Sequence, residues 1–290
     1  MKLVTFRANG NSRLGVLRSD GSHVVEIADP VDMLALIDAG ERGLDKVREA
    51  AAKSGGREHS LDEVELLPPL PQPRGNIIAI GRNYEKHAAE TAAEGRQPSP
   101  PTIFTKAITS LIEPFGDIAI DPAISDKIDW EVELGIVVGR SGANIKRADG
   151  WHHVFGYMVL NDVTARDIQS GWGGQYFKGK SLDRTCPTGP WIVTPDEIPQ
   201  PQALRLQLRV NGETKQDSST GDMIYPVDAI IEWVSKGMTL PAGSIIASGT
   251  PDGVGFARTP PEFLHPGDVM ESEVEHIGVL KNRIVAAGMD

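Results

Sequence analysis

The segment DWEVELGIVVG, residues 129–139, joins alternating carboxylates to an uninterrupted apolar run. Short apolar runs rich in β-branched residues are typical of buried β-strands. Side chains alternate between the two faces of a strand, so Glu131 and Glu133 point to the same side, roughly 6.5–7 Å apart. Two like charges at this spacing repel each other unless a cation lies between them. The segment therefore predicts a buried strand that starts beside a candidate cation site.

A third carboxylate, Asp162, ends the next strongly apolar segment, YMVLND at residues 157–162. Three carboxylates without a neighbouring Cys or His suit a hard cation, Mg²⁺, Mn²⁺ or Ca²⁺, better than structural zinc. The alternative is that Glu131 and Glu133 lie on a solvated strand face while Asp162 closes a turn. Both carboxylate segments run into strongly apolar strands, which favours the metal site.

Residues 1–70 are predicted to form a small N-terminal α/β domain. KLVTFRA and RLGVLR alternate as short antiparallel strands do, and ANGNS forms the turn between them. Residues 32–52 have helical spacing and many helix-forming residues. The proline-rich stretch PPLPQP, residues 68–73, is typical of a stiff connector. We therefore place a second domain at residues 71–290.

Short apolar segments separated by Gly and Pro dominate the second domain. Helices are predicted at YEKHAAETAA and at PVDAIIEWVSKGM, where Pro226 and Gly237 match helix start and stop signals. The expected fold class is a β-rich α+β arrangement with long irregular loops. Its strands are predicted at NIIAI, WEVELGIVVG, FGYMVLND, GPWIVT, LRLQLRVNGE, SIIASG and VMESEVEHIGVLKNRIV.

Composition limits the classes of partner. The formal net charge of −11, with no basic stripe, argues against nucleic-acid or anionic-membrane partners. The single cysteine, Cys186, cannot form an intramolecular disulfide and fits a reducing compartment. The first residues lack the apolar core of a secretory signal, and the apolar runs are far shorter than a membrane span of about 20 residues. We expect a soluble, cytoplasmic protein.

His87 and Glu90 follow the predicted strand NIIAI, in the segment NYEKHAAE. Their i, i+3 spacing places both on one face of a helix, where the carboxylate can orient the imidazole and raise its basicity. The alternative is an incidental pair on a surface helix. The pair is a candidate general base.

A lysine and a glycine-rich loop complete the candidate residues. Lys180 lies in the loop KGKS, from which its ammonium can approach a metal-bound oxyanion, although a solvated loop lysine or a Ser–Lys hydrolase pair with Ser181 are alternatives. The loop SGTPDGVG, residues 248–255, matches neither a dinucleotide fingerprint nor a P-loop, but its amides and Thr250 can hold a carboxylate. Cys186 is expected to be a packed thiol.

Taken together, these segments resemble the fumarylacetoacetate hydrolase superfamily over residues 73–290. The resemblance implies a mixed β-sandwich roll as catalytic domain, a smaller N-terminal domain and a homodimer. It rests on six motifs in family order, namely IIAIGRNYEKHAAE, PTIFTKAITSLIEP, DWEVELGIVVGR, GYMVLNDVTARDIQ, GGQYFKGKSLDRTCPTGPW and IIASGTPDGVGF.

The resemblance also implies a role for each candidate residue. The 1-carboxylate and 2-oxo oxygens of a small 2-oxo acid are implied to chelate a Mg²⁺ or Mn²⁺ ion, and water completes the coordination shell of the ion. A helix carrying the His-x-x-Glu pair acts as a lid. The residues implied are Glu131, Glu133 and Asp162 as metal ligands, His87 and Glu90 as general base, Lys180 as stabiliser of the enolate, and Arg166, Gln169 and Thr250 as substrate contacts.

One motif departs from the family pattern. Family members commonly read GKSFDTFCP, whereas this chain reads GKSLDRTCP at residues 179–187. Arg184 adds a cation for a second substrate carboxylate if it faces the cleft, and has little meaning if it faces outward. Specificity for the distal part of the substrate is expected to come from loops 94–101 and 170–176.

The function expected first is hydrolysis of a carbon–carbon bond in a 2,4-dioxo acid of the acylpyruvate type, through a metal-bound pyruvate enolate. Oxaloacetate decarboxylation, or isomerisation or decarboxylation of an oxo-dienoate in aromatic catabolism, uses the same enolate and remains open. A scaffold protein with a structural Ca²⁺ is the non-catalytic alternative, against which the His87–Glu90 pair and Lys180 argue.

Overall fold

The computed structural model describes residues 1–53, 56–91 and 100–288. Residues 94–99 of the predicted specificity loop, and the last two residues of the helix predicted at YEKHAAETAA, lie outside this range. The helices are α1 (Met33–Ala52), α2 (Glu85–Thr91), α3 (Arg166–Gly171) and α4 (Val227–Ser235). Within the described residues, no helix is both long and apolar enough to cross a membrane.

Strands make up most of the regular structure. Those before residue 70 are β1 (Lys2–Ala8), β2 (Asn11–Leu17), β3 (His23–Ile27), β4 (Glu58–Ser60) and β5 (Glu65–Leu66). Those after it are β6 (Ile77–Gly81), β7 (Thr102–Lys106), β8 (Leu111–Ile112), β9 (Ile118–Ile120), β10 (Ile128–Asp129), β11 (Val132–Val138), β12 (Gly142–Ala143), β13 (Val154–Asn161), β14 (Thr164–Ala165), β15 (Cys186–Val193), β16 (Arg205–Val210), β17 (Glu213–Ser219), β18 (Thr239–Leu240), β19 (Ile245–Ala247), β20 (Val269–Val274) and β21 (Gly278–Ala286).

Two large sheets organise these strands. The first follows the order β4-β3-β2-β1-β15-β13-β11-β19-β6-β7, and the second follows β17-β16-β20-β21-β9. Strand β1 pairs antiparallel with β15, so the first sheet continues from the N-terminal segment into the rest of the chain. The β-rich α+β fold expected from sequence is confirmed.

Both faces of strand β11 are buried, which explains its unbroken apolar sequence. Val132, Leu134 and Ile136 pack into the large apolar cluster shared with β16, β20 and β21 of the second sheet. Val137 points the other way, into a cluster shared with helix α1 and with Leu3 of β1. A strand covered on both faces loses the apolar–polar alternation of a half-exposed strand.

The helices agree with the sequence in part. Helix α4 matches the prediction, and the described part of α2 does too. Helix α1 starts after Asp32, whose side chain accepts from Ala35 N at 2.8 Å, but it is kinked at Gly40, where φ is 56°. Glycine adopts this left-handed conformation without a Cβ penalty. Helix α3 was not predicted, since its six residues are too few to show a helical period.

Candidate metal centre and active site

The register between strands β11 and β13 brings the three predicted metal ligands together. Val132 pairs with Asn161, so Glu131, just before β11, lies beside Asp162, just after β13. Asp162 N donates to Glu131 O at 2.9 Å, which extends the pairing by one step. Glu133 shares the strand face of Glu131. Carboxylate oxygens of Glu131, Glu133 and Asp162 all lie within 4.8 Å of one another.

The carboxylate cluster, defined as Glu131, Glu133 and Asp162, is almost completely enclosed. The three residues are 5%, 2% and 0% exposed. Burying an ionised carboxylate is costly unless it is paired with a cation or coordinates a metal. The arrangement therefore requires positive charge at close range, and the structure provides part of it.

Lys180 supplies the first positive charge, because its Nζ lies 2.6 Å from Glu131 Oε2 and 2.8 Å from Asp162 Oδ2. Arg166 supplies another through Nη2, 2.7 Å from Glu131 Oε1. Burial pushes the pKa of Glu131 upward, but Lys180 and Arg166 outweigh burial and hold that pKa at about 2. Burial disfavours the Lys180 ammonium, yet Asp162 and Glu131 keep its pKa above the ordinary value.

Glu133 differs from its two neighbours. Gly249 N donates to its Oε2 at 2.7 Å, and among the described residues it has no ion-pair partner. Burial, followed by the charges of Asp162 and Glu131, raises the pKa of Glu133 well above its usual range. A divalent cation on three converging oxygens would supply the missing positive charge, and oxygen donors are those that Mg²⁺ and Mn²⁺ prefer. The residues present thus fit a hard divalent cation.

Helix α2 carries the predicted His–Glu pair to this cluster. His87 Nδ1 lies 2.9 Å from Glu90 Oε1, and the second oxygen of Glu90 accepts from Gly253 N at 3.2 Å. His87 itself is 7% exposed. Glu90 therefore orients the imidazole and ties helix α2 to the glycine-rich loop 248–255.

That loop binds carboxylates, as the sequence indicated, but they belong to the protein. Its amides at Gly249, Gly253 and Gly255 hold the side chains of Glu133, Glu90 and Asp129, the last at 2.7 Å. Gly249 has a φ of 99°, and a Cβ there would lie 2.6 Å from the Asn83 side chain. Only glycine permits so close an approach.

A cavity of about 210 Å³ opens onto the carboxylate cluster. Its volume is smaller than the roughly 300–1,000 Å³ typical of pockets for drug-sized ligands, which suits a small metabolite. Glu131 and Glu133 lie on its wall. The other lining residues are Ile80, Gly81, Arg82, His87, Phe104, Arg166, Gln169, Ser170, Tyr176, Lys180, Thr250 and Phe256.

The three predicted substrate contacts all line this cavity, although each is also held by the protein. Arg166 donates from Nε to Asp129 Oδ2 at 2.7 Å and from Nη1 to Gln169 Oε1 at 3.1 Å. Thr250 donates to Val132 O at 2.9 Å and accepts from Gln216 Nε2. Their contact with substrate stays a prediction.

Two functional residues were missed in the sequence. Lys106 is fully buried, and its Nζ lies 2.6 Å from Asp162 Oδ1 and also contacts the carbonyl oxygen of Lys180. Asp129 anchors Arg166 and accepts from Gly255 N and Phe256 N. A lysine within the apolar strand segment IFTKA was the available signal for Lys106. Asp129 was visible next to the carboxylate pair but had no distinguishing pattern.

The structure decides three questions left open by the sequence. Arg184 faces outward, with its side chain 57% exposed and paired to Glu113 at 2.8 Å. Ser181 Oγ accepts from Ala107 N, while Lys180 is bound to carboxylates, so these two do not form a hydrolase pair. Cys186 is fully buried, and burial raises its pKa to about 12, which confirms a packed thiol.

Comparison with known proteins adds to this geometry. Residues 76–285 match the family model described as fumarylacetoacetate (FAA) hydrolase C-terminal, and residues 1–69 match an N-terminal model described as Rv2993c-like. Oxaloacetate tautomerase YisK of Bacillus subtilis is 46% identical over 226 residues, covering 78% of this chain and 75% of that protein.

Solved structures agree over almost the whole chain. A fumarylacetoacetate hydrolase from Exiguobacterium antarcticum has a TM-score of 0.85 and 38% identity, covering 99% of each chain. Maleylpyruvate hydrolase from Sphingobium sp. SYK-6, solved with manganese(II) and pyruvate, has a TM-score of 0.79 and 30% identity, again covering 99% of each chain.

Proposed function

The chain belongs to the fumarylacetoacetate hydrolase family, and on that premise we propose that it interconverts the keto and enol forms of oxaloacetate with a divalent cation as cofactor. The observation that carries the proposal is the oriented His87–Glu90 pair on the same small cavity as the three-carboxylate cluster. The tautomerase activity of the Bacillus relative supports the choice of reaction and substrate.

Glu131, Glu133 and Asp162 would hold Mg²⁺ or Mn²⁺. When bound, the cation supplies Lewis-acid polarisation of the 2-oxo acid. The manganese site of the related maleylpyruvate hydrolase supports a divalent cation here, and Ca²⁺ remains an alternative to be tested beside Mg²⁺ and Mn²⁺.

His87 would move the proton. Because Nδ1 is engaged with Glu90, proton exchange with substrate is assigned to Nε2. In the keto-to-enol direction, Nε2 takes a proton from C3, the C3–H electron pair becomes the C2–C3 double bond, and the C2 oxygen gains negative charge. The imidazolium, stabilised by Glu90, then returns a proton to that oxygen.

Lys180 would stabilise the intermediate charge. Two of its three N–H groups point to Glu131 and Asp162, and the side chain lines the cavity. The third N–H can donate to the enolate oxygen in a site largely enclosed from water, where such a bond is stronger than in bulk solvent.

Hydrolysis of an acylpyruvate-type 2,4-dioxo acid, expected first from the sequence, is the second candidate. The related maleylpyruvate hydrolase favours it. His87, Glu90 and Lys180 would also serve this reaction if His87 activates a water molecule. Decarboxylation of oxaloacetate and isomerisation of an oxo-dienoate draw on the same enolate chemistry. Product analysis must therefore determine which bond of the substrate changes.

The decisive experiment follows the ultraviolet absorbance of the enol after oxaloacetate is mixed with the Mg²⁺-loaded protein. We expect faster keto–enol equilibration, no faster release of pyruvate, and loss of the effect in EDTA. His87→Gln should slow it by roughly 10²- to 10⁴-fold. His59→Gln, which alters a His–Glu pair with Glu26 outside the cavity, should not.

Other outcomes have defined meanings. Pyruvate formation matching enol loss would replace tautomerisation by decarboxylation, and cleavage of acetylpyruvate without any effect on oxaloacetate would establish the hydrolase. The expected homodimer, and the expected absence of nucleic-acid and membrane partners, stay predictions.

A further inference from the structure

Arg82 stands out among the residues that line the cavity. Four lining side chains can carry positive charge, and three of these have carboxylate partners: His87 with Glu90, Arg166 with Asp129 and Glu131, and Lys180 with Glu131 and Asp162. Within residues 1–53, 56–91 and 100–288, the Arg82 guanidinium has neither a hydrogen bond nor an ion pair. Among the lining cations in these residues, Arg82 is therefore the one whose charge is not paired with a carboxylate of the protein.

The backbone of Arg82 is held in a costly conformation. Its φ is 55°, in the left-handed region that a side chain with a Cβ enters at a cost of about 1–2 kcal/mol. Such outliers persist where their surroundings fix them, and they concentrate at functional sites. The conformation therefore calls for a reason in the surroundings of Arg82.

Its two neighbours in the chain provide the restraint. Gly81 pairs with Thr102 where strand β6 ends and strand β7 begins. Asn83 is fully buried and donates to Ser248 O at 2.7 Å and to Tyr225 O at 3.0 Å, while its Oδ1 accepts from Tyr225 N. With both flanks fixed, the side chain of Arg82 is directed into the cavity wall.

We propose that Arg82 binds the distal carboxylate of a dicarboxylic 2-oxo acid and so sets the preference for oxaloacetate over monocarboxylic 2-oxo acids. The inference rests on the proposed function, which places the 2-oxo acid group at the carboxylate cluster. Arg82 forms no ion pair with that cluster, so its guanidinium lies apart from the carboxylates that hold the cation. A short dicarboxylate offers its second anion away from the 2-oxo acid group, and the guanidinium fork matches a carboxylate with two parallel hydrogen bonds.

Arg82 thereby takes the role that was considered for Arg184 from the sequence, that of a cation for a second substrate carboxylate. The two arginines share a left-handed backbone, with φ of 55° and 53°, but Arg184 is paired to Glu113 outside the cavity. Arg184→Gln is therefore a matched control for Arg82→Gln. Glutamine has the same left-handed penalty as arginine, so both variants keep the backbone conformation and change only the charged end.

The test compares two ligands that differ at one end. In 2-oxobutyrate, a methyl group replaces the distal carboxylate of oxaloacetate. Titration calorimetry of the Mg²⁺-loaded protein uses oxaloacetate already at keto–enol equilibrium, so that turnover adds no net heat. For the wild type and Arg184→Gln, we expect oxaloacetate to bind roughly 10- to 100-fold more tightly than 2-oxobutyrate.

In Arg82→Gln this ratio should fall to about one, with the Kd of 2-oxobutyrate changed less than about twofold. Arg82→Lys, which keeps the charge but not the fork, should fall between. An equal loss of affinity for both ligands, or an unchanged ratio, would overturn the role of Arg82. Thermal unfolding of each variant checks that the fold is retained.

The same samples separate this inference from the proposed reaction. If the wild type binds oxaloacetate through Arg82 but does not speed its tautomerisation, the proposed function fails and the inference stands. If tautomerisation is present and Arg82→Gln leaves the binding ratio intact, the function stands and the inference fails.

Discussion

At the scale of single residues, Lys106 is the cation most deeply enclosed at the carboxylate cluster. It is fully buried and bridges Asp162 Oδ1, Val163 O and the carbonyl of Lys180. It thus connects the strand β7 to two of the segments that form the site. A buried lysine in this position is tolerated because an ionised carboxylate lies within hydrogen-bond distance.

Replacement of Lys106 by methionine should leave the buried Asp162 Oδ1 without its ion-pair partner, while Lys180 still contacts Oδ2. Removing one partner of a buried ion pair costs about 3–5 kcal/mol, so we expect the metal-free variant to unfold at a lower temperature. Mg²⁺ can replace part of the lost positive charge, so the rise in Tm on adding Mg²⁺ should be larger in Lys106→Met than in the wild type. Differential scanning calorimetry with and without Mg²⁺ measures both effects.

Lys46→Met is the control, because Lys46 pairs with Asp29 at 2.9 Å where both side chains are largely exposed. Such a pair contributes about 0–1 kcal/mol and should not change the response to Mg²⁺. An equal Mg²⁺ effect in Lys106→Met and the wild type would contradict the assignment of Lys106 to the metal site.

Glu131 and Lys106 differ in how well their contacts could be predicted from the sequence. Glu131 and Glu133 could be paired from local alternation alone, since strand geometry fixes which residues share a face. Lys106 meets a carboxylate 56 positions further along the chain, at Asp162, and Arg82 lines a cavity shared with residues as distant as Phe256. Contacts between residues so distant in the chain depend on the order of the strands in the sheet, which a short sequence pattern does not predict.

At the scale of elements, helix α2 and the loop 248–255 act as one unit. One carboxylate oxygen of Glu90 lies 2.9 Å from His87 Nδ1, and the other accepts a hydrogen bond from Gly253 N. Asn83, just before the helix, donates to Ser248 O in the loop. The imidazole is thus fixed from both ends of its helix. Sequence predicted the pair from i, i+3 spacing, but the loop that restrains it comes 163 positions later for Gly253.

Glu90→Gln keeps the shape of this connection and removes its charge. The imidazolium formed during proton transfer would lose its stabilising anion, so we expect turnover of oxaloacetate to fall by roughly 10- to 100-fold with little change in KM. Steady-state kinetics measure the split between kcat and KM. Glu85→Gln, an exposed position on the same helix, should retain activity; a matching loss in both variants would indicate disruption of the helix instead.

The elements that escaped prediction are those with too little local pattern. Helix α3 spans only Arg166–Gly171, less than two turns, and it is held by Ser170 Oγ donating to Arg166 O and by the Arg166 ion pairs. Helix α1 was long enough to predict, but its kink at Gly40 was not predicted.

At the scale of the whole molecule, the segment before residue 70 is built into the main sheet. Lys2 pairs with Val193 and Leu3 with Ile192 across β1 and β15. Leu3 also shares an apolar cluster with Phe155 and Ile245. The division into domains 1–70 and 71–290 stays a prediction, and these contacts indicate that the two parts stabilise each other.

A chain restricted to residues 71–290 should therefore fold poorly. It would expose the edge of β15 and the apolar residues that β1 and α1 cover, and an uncovered apolar edge strand promotes aggregation. We expect low solubility, or a broad unfolding transition at reduced temperature, by size-exclusion chromatography and near-ultraviolet circular dichroism. A monodisperse fragment with the Tm of the full chain would show instead that residues 71–290 are an independent domain.

The pairing of β1 with β15 also has a consequence during synthesis. A ribosome adds about 5–20 residues each second, so roughly 10 to 40 seconds pass between the emergence of β1 and that of its partner strand. Throughout this interval the hairpin of β1 and β2 has an unpaired edge at Lys2 and Leu3, and the Leu3 side chain lacks its final cover from Phe155, Ile192 and Ile245. The charged residues of the hairpin, Lys2, Arg7 and Arg13, favour its solubility until β15 leaves the ribosome.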